Sequence, residues 1–330
     1  MILAHLGHLA DSGHQVTIKA NIVDTRFPLH PCIKIEKIRL PAVCGTILAA
    51  VFSKPSADCL VATIIPLAFC LYLRNREKVV YMAQEYEELG YRSLFSKFML
   101  RLISRIVLTS FRIPAIAVSE KLGQFLHKEF HANFEIVPNG VDTGIYYQDL
   151  SPEILSTKDG NRSILIFSKN DKRKGFDIAL DVVRKLKRES KIPFVVWIVG
   201  ESTGIDVNDL PCQHFGFLDD MQMRKILSSA DVFLYPSRTD GFGLIVAEAF
   251  ACKCPVVTTP AVFFAKDGVN ALVSSTGNVD DLAAKVIRLL EDKELGDQLA
   301  RRGYDLVCDM SLKASSKRFE TVLIALRRML

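Results

Sequence analysis

The eight cysteines of this 330-residue chain form no CxxC pair and no zinc-ligand spacing. That excludes a structural zinc site or a disulfide framework as the basis of the fold. Scattered in apolar surroundings, they read as buried reduced thiols and point to a cytoplasmic protein. The longest uncharged stretch near the front, residues 59–73, contains Pro66 and is too short to span a bilayer. Residues 1–10 have no basic lead-in to an apolar core, so no secretory signal is expected. No Lys/Arg cluster interleaved with aromatics is present, and a formal net charge of +5 is too small to argue for nucleic acid. It suits anionic ligands or an anionic surface. No GxGxxG follows a strand-like run in either half, which removes the fingerprint of a dehydrogenase. Metal-ligand clusters, short repeats and low-complexity tracts are also lacking, so no cofactor or metal is expected.

What is present is ordinary globular composition, 49% hydrophobic and 24% charged. The length suggests two domains of about 150 residues each. Short apolar runs alternate with amphipathic stretches, the pattern of an α/β protein with mostly parallel sheets. The first half reads as helix 2–12, strands 15–20 and 58–63, helix 65–74, strand 78–83, helix 93–111 and strands 114–118 and 134–137. The tripeptide Pro138–Asn139–Gly140 then makes a turn. The second half restarts with strand 163–168 and helix 176–188. Strand 194–199, helix 220–229, strand 232–235, helix 243–251, strand 255–258 and helix 279–292 follow. The expected units are therefore residues 1–142 and 143–310, each Rossmann-like. A closing helix, 311–330, is expected to pack back on the first.

Two segments carry chemistry. Directly after strand 163–168 comes a basic loop, Lys169–Asn170–Asp171–Lys172–Arg173–Lys174–Gly175. Open α/β sheets bind ligands at strand C-terminal ends. Clustered cations there, a glycine and a helix N-terminus would hold a pyrophosphate; a solvated basic loop is the plain alternative. The second segment follows strand 232–235, with Asp240, Gly241, Phe242, Gly243 and Leu244 in a turn and Glu248 in the helix beyond. The N–H groups of Phe242 to Leu244 are expected to point at an anion. Seven residues separate the two carboxylates, so they could grip different hydroxyl groups of one extended ligand. A helix cap at Asp240 and an ordinary helical Glu248 are the plain alternative.

Taken together, these motifs resemble family 4 of the retaining glycosyltransferases, which have the GT-B fold. The resemblance rests on motifs in order. They are the basic loop ending Lys174–Gly175, then Gly216–Phe217–Leu218, Ser229 to Ser237, Asp240 to Leu244, Glu248 to Cys252, and Pro255–Val256–Val257. Upstream, Pro138 to Asp142 is similar to the family's inter-domain hinge. The resemblance implies two Rossmann-like domains facing a central cleft. It implies transfer of a hexosyl or deoxyhexosyl group from a nucleotide diphosphate sugar to a glycan or glycolipid hydroxyl, with retention and without a metal. Lys169 and Lys174 would hold the donor diphosphate, and Asp240 would contact the transferred sugar. Glu248 would contact the nucleotide ribose, with Gly241, Phe242, Gly243 and Leu244 completing the cradle. In the first domain Gln84 and Glu85 stand where many members have His followed by an acid.

The chain departs from the family in several places. Asp240 replaces a Glu, and Lys169 an Arg. Lys253 replaces a Gly, and Val262–Phe263 replaces Pro-Glu. The family opens with a β-strand and a Gly-Gly loop before the helix that here begins near Ile2, so that strand is expected to be missing. A central strand's absence would leave its neighbours without ladder partners. These departures make a non-catalytic nucleotide-sugar-binding protein the competing expectation. An epimerase or phosphorylase fits the Asp240/Glu248 spacing less well. Residues 93–111 combine apolar side chains with Lys97, Arg101 and Arg105 at four-residue spacing. The broad apolar side favours a mostly buried helix. The alternative is a helix lying at an anionic membrane surface, which would place the protein peripherally at the inner face.

Overall fold

The computed structural model describes residues 1–20, 29–38, 50, 56–91, 93–201, 204 and 206–329. Two compact units divide the chain. Met1–Gly140 with Leu312–Leu330 forms the first, and Val141–Ser311 the second.

In the first unit the described strands lie in two parallel sheets. One is a pair, β1 (Thr17–Ala20) with β2 (Lys34–Lys37). The other has the order β3 (Leu60–Ala62), β4 (Val79–Ala83), β5 (Ala115–Ala117) and β6 (Phe134–Ile136). All five residues of β4 are buried, as a strand covered on both faces requires. The first helix, α1 (Ile2–Asp11), packs on the last, Leu312–Met329. His5 anchors that contact. Its Nδ1 lies 2.9 Å from the Ser316 hydroxyl, and its ring stacks on Phe319 at 4.8 Å. Burial pushes the His5 imidazole down to about 4, so it stays neutral. Glu320 receives both His8 and His14.

The helix expected at 93–111 differs from its reading. It is α-helical over Leu94–Arg105 and relaxes into a π turn at Ile106–Ser110. Its apolar side is not core: Leu94 is 83% exposed and Phe95 72%. Only Leu100 and Ser104 of the α-helical part are buried. The cysteine expectation also needs correction. Among the described residues all cysteines are free thiols, but Cys32 and Cys308 are exposed rather than buried, and Cys44 lies outside the described residues.

The second unit is a parallel sheet of order β12-β11-β10-β7-β8-β9. Here β7 is Arg162–Ser168, β8 Phe194–Gly200, β9 Cys212–Gly216, β10 Val232–Tyr235, β11 Val256–Thr258 and β12 Leu272–Val273. Chain order moves outward from β7 to β9, then returns to β10 on the other side of β7. That reversal is a topological switch point, where the loops after two neighbouring strands diverge and leave a crevice. Ile164, Ile166, Val196, Ile198, Val232 and Leu234 are buried, as is Val182 of the helix Phe176–Glu189, and together they form the core. Leu165 and Phe233, on the opposite face, are buried too, and burial on both faces is why β7 and β10 read as unbroken apolar runs.

Candidate functional site

The two chemistry-bearing loops follow β7 and β10, the strands that flank the reversal. Backbone and side-chain bonds zip them together. The Arg173 carbonyl accepts from the Arg238 N–H at 2.7 Å and from the Ser237 hydroxyl at 2.9 Å. Arg238 donates to the Lys172 carbonyl and forms a two-point ion pair with Asp177. Gly175 is at φ +74, and a Cβ there would lie 2.1 Å from the Pro236 carbonyl oxygen. Only glycine lets the loops approach this closely.

Lys174 and Asp240 meet at the centre. The Lys174 ammonium donates to Asp240 Oδ2 at 2.8 Å, and the Tyr235 hydroxyl donates to the same oxygen at 2.8 Å. Asp240 Oδ1 accepts from the Phe242 N–H at 3.2 Å and the Gly243 N–H at 3.0 Å. Burial alone would raise the Asp240 carboxyl, but Lys174, Tyr235 and the Phe242 N–H hold it below its ordinary value. Burial and then Asp240 keep the Tyr235 hydroxyl protonated, hence a donor. The four bonds fill the acceptor positions of this carboxylate. The expectation that the N–H groups of Phe242 to Leu244 face an anion is thus corrected. Two of them are capped internally by Asp240, a two- and three-residue reach that a short side chain favours. The N–H groups of Leu244 and Ile245, at the start of the helix Leu244–Ala251, have no partner among the described residues.

Glu248 lies further along the same helix and is half-buried. Its carboxyl has no hydrogen-bond partner among the described residues. Burial, and then the Asp220 carboxylate, push it up to about 8. Asp220 itself accepts from the Tyr146 hydroxyl at 2.8 Å. Lys169 stands exposed at the end of β7 and makes no ion pair among the described residues. Gly243, at φ +94, would clash with Val262 if it carried a Cβ. Beside it Phe263 packs edge-on against Phe242 at 5.6 Å. Phe264 packs on Phe242 as well, so the side chains around this ring are aromatic.

Gln84 and Glu85 belong to the first unit, just after β4; Gln84 is half-buried and Glu85 exposed. Glu87, further along, is held by the fold. It accepts from the Tyr81 hydroxyl at 2.6 Å and from the Ile65 N–H at 3.0 Å, at the N-terminus of the helix Ile65–Tyr72. Burial raises its carboxyl. Sequence reasoning missed Glu87, Tyr235 and Arg238. The one available signal was a polar tip, Tyr235, at the end of an apolar strand. Asp231, within a motif of the resemblance, does structural work at the opposite strand end, where it binds Lys158, Arg162 and Ser163.

Residues 148–306 match the family described as glycosyl transferases group 1. The chain is 26% identical over 248 residues to a phosphatidyl-myo-inositol mannosyltransferase of Propionibacterium freudenreichii subsp. shermanii, covering 73% of this chain and 59% of that protein. It spans about half the length of the curated relatives it matches. Among solved structures, a sucrose-phosphate synthase from Thermosynechococcus elongatus superposes with a TM-score of 0.81 at 15% identity, over 99% of this chain and 92% of that one. Anabaena HepE in complex with UDP and glucose superposes with a TM-score of 0.75 at 15% identity, over 98% and 94%. The chain thus has the mixed α/β, parallel-sheet fold of the GT-B glycosyltransferases, and its residues 148–306 match the group 1 glycosyl transferase family.

Proposed function

We propose that the protein binds a nucleotide diphosphate sugar through its second unit and transfers the hexosyl or deoxyhexosyl group, with retention, to a hydroxyl of a surface glycan or glycolipid. One observation carries this: Lys174 meets Asp240 at the switch point after β7 and β10, directly before a helix whose first N–H groups and Glu248 carboxyl have no partner among the described residues. Lys174, Lys169 and that helix N-terminus neutralise the diphosphate, so no metal is needed. Glu248, raised and lacking a partner, takes the ribose hydroxyls. Lys174 leaves Asp240 for the incoming diphosphate, and the released Oδ2 meets the transferred sugar. Catalysis is then stabilisation of the leaving group with positioning of the acceptor hydroxyl. Gln84 and Glu85 act on the acceptor side. The bound UDP of HepE and the lipid-linked substrate named for the mannosyltransferase support the donor and acceptor classes. The protein acts in the cytoplasm, peripheral to the inner face of the membrane.

A second function has its own support. The filled acceptor positions of Asp240 favour a protein that binds the nucleotide sugar without transferring it. Calorimetry with UDP, GDP and dTDP tests the donor site. Lys174→Ala should weaken binding about tenfold or more, the loss of a charge-assisted bond of about 1.5–3 kcal/mol. Lys172→Ala, an exposed side chain, should leave it nearly unchanged. Equal affinities of the two variants would sink the assignment. Asp240→Asn separates the two functions, because it should spare nucleotide binding while stopping transfer.

A further inference from the structure

The helix Leu94–Arg105 presents large apolar side chains to solvent. Leu94 is 83% exposed, Phe95 72%, Phe98 64% and Leu102 43%. A helix that hid this side in a core would show the reverse pattern. Leu94, Phe98 and Leu102 follow one another at four-residue spacing, with Phe95 beside them. Lys97, Arg101 and Arg105 form a second row at the same spacing, about 60° around the axis. The helix contains no acidic residue. Arg101 is held by Glu88 and Glu129, whereas Lys97 and Arg105 make no ion pair among the described residues.

We propose that this helix docks on an anionic lipid surface, with the Phe95/Phe98 side in the acyl boundary and Lys97 and Arg105 at the headgroup phosphates. This deepens the peripheral placement proposed above. Among the described residues no helix is long and apolar enough to cross a membrane. The occupant follows from charge. A second copy would bring the same cationic row against its like, which opposes pairing. An anionic bilayer satisfies both rows at once, since it offers acyl chains for the rings and negative headgroups for the unpaired cations.

The test is flotation of the full chain with vesicles of phosphatidylcholine alone and of phosphatidylcholine with phosphatidylglycerol. Binding should need the anionic lipid and fall as salt is raised. Phe95→Ser with Phe98→Ser should reduce it about tenfold or more. Lys97→Gln and Arg105→Gln should each reduce it about fivefold. UDP, GDP and dTDP binding by calorimetry should be the same in all variants, so failure of the lipid face and failure of the donor site are read separately. Equal binding to neutral vesicles, or parental binding by the Phe variants, would overturn the proposal. A dimer in sedimentation that the Phe variants dissociate, without vesicle binding, would overturn it in favour of a second copy. Absence of both, with binding to an acidic protein surface, would overturn it too.

Discussion

Asp240 precedes and Glu248 lies within one helix, yet their environments drive the two carboxyl groups in opposite directions. Asp240 is surrounded by donors and stays ionised. Glu248 has burial and Asp220 against it and is pushed up to about 8. A carboxyl raised in the folded state binds its proton more tightly there than in the unfolded chain. Its contribution is therefore lost as pH rises from the ordinary carboxylate range through about 8. Glu248→Gln should flatten this decline, which cannot exceed about 1.4 kcal/mol per pH unit. Urea unfolding between pH 5 and 9, followed by Trp197, measures it: the chain has a single tryptophan, fully buried in β8 of the second unit. An unchanged slope in the variant would show that another group titrates. The same substitution should weaken binding of a bare nucleoside as well as of nucleotide sugars, because the ribose contact is common to both.

At the scale of elements, the contact between α1 and the closing helix depends on a neutral buried imidazole. His5 sits between Ser316 and Phe319 with its pKa depressed to about 4. The unfolded chain takes up this proton at ordinary histidine pH, whereas the folded one resists it. Stability is therefore fully present above about pH 6.5 and is lost as pH falls toward 4. The loss should reach about 3 kcal/mol at the acid end. His5→Gln, which cannot be protonated, should remove that part of the acid sensitivity. Circular dichroism melts from pH 7 to pH 4 check it, and parallel curves for the two proteins would contradict the role given to His5. Glu320, held below its ordinary value by His14 and His8, adds a loss of the same sign at lower pH.

For the whole molecule, strand pairing sets the pattern of stability. In the second unit β7 and β10 have neighbours on both sides, whereas in the first β1 and β3 each have one among the described strands. Parallel strands paired on one edge leave N–H and C=O groups to solvent and open first. Hydrogen exchange followed by mass spectrometry should show β1 and β3 amides exchanging well before those of β7 and β10. Equal protection would show that β1 and β3 are paired through contacts beyond those described. Sequence alone determined that β7, β8 and β10 exist, because strands buried on both faces must be apolar throughout. It did the same for the helix Phe176–Glu189, read one residue short, because one apolar side repeats at helical spacing. It did not reveal β2, β9 or β12. Lys34–Lys37 and Cys212–Gly216 are polar, partly exposed edge segments, and Leu272–Val273 is too short to leave a period. Candidate residues at the site were legible one at a time, as cations before a glycine and carboxylates around a turn. Their partnerships were not. That Lys174 meets Asp240, that Tyr235 completes the pair and that Glu248 is left without a partner depends on β7 and β10 lying side by side, and that adjacency follows from how the sheet reverses. Local sequence sets backbone preference and which side of an element is buried. Only the tertiary structure decides which distant loops share a crevice, because that is a property of sheet order and of no single segment.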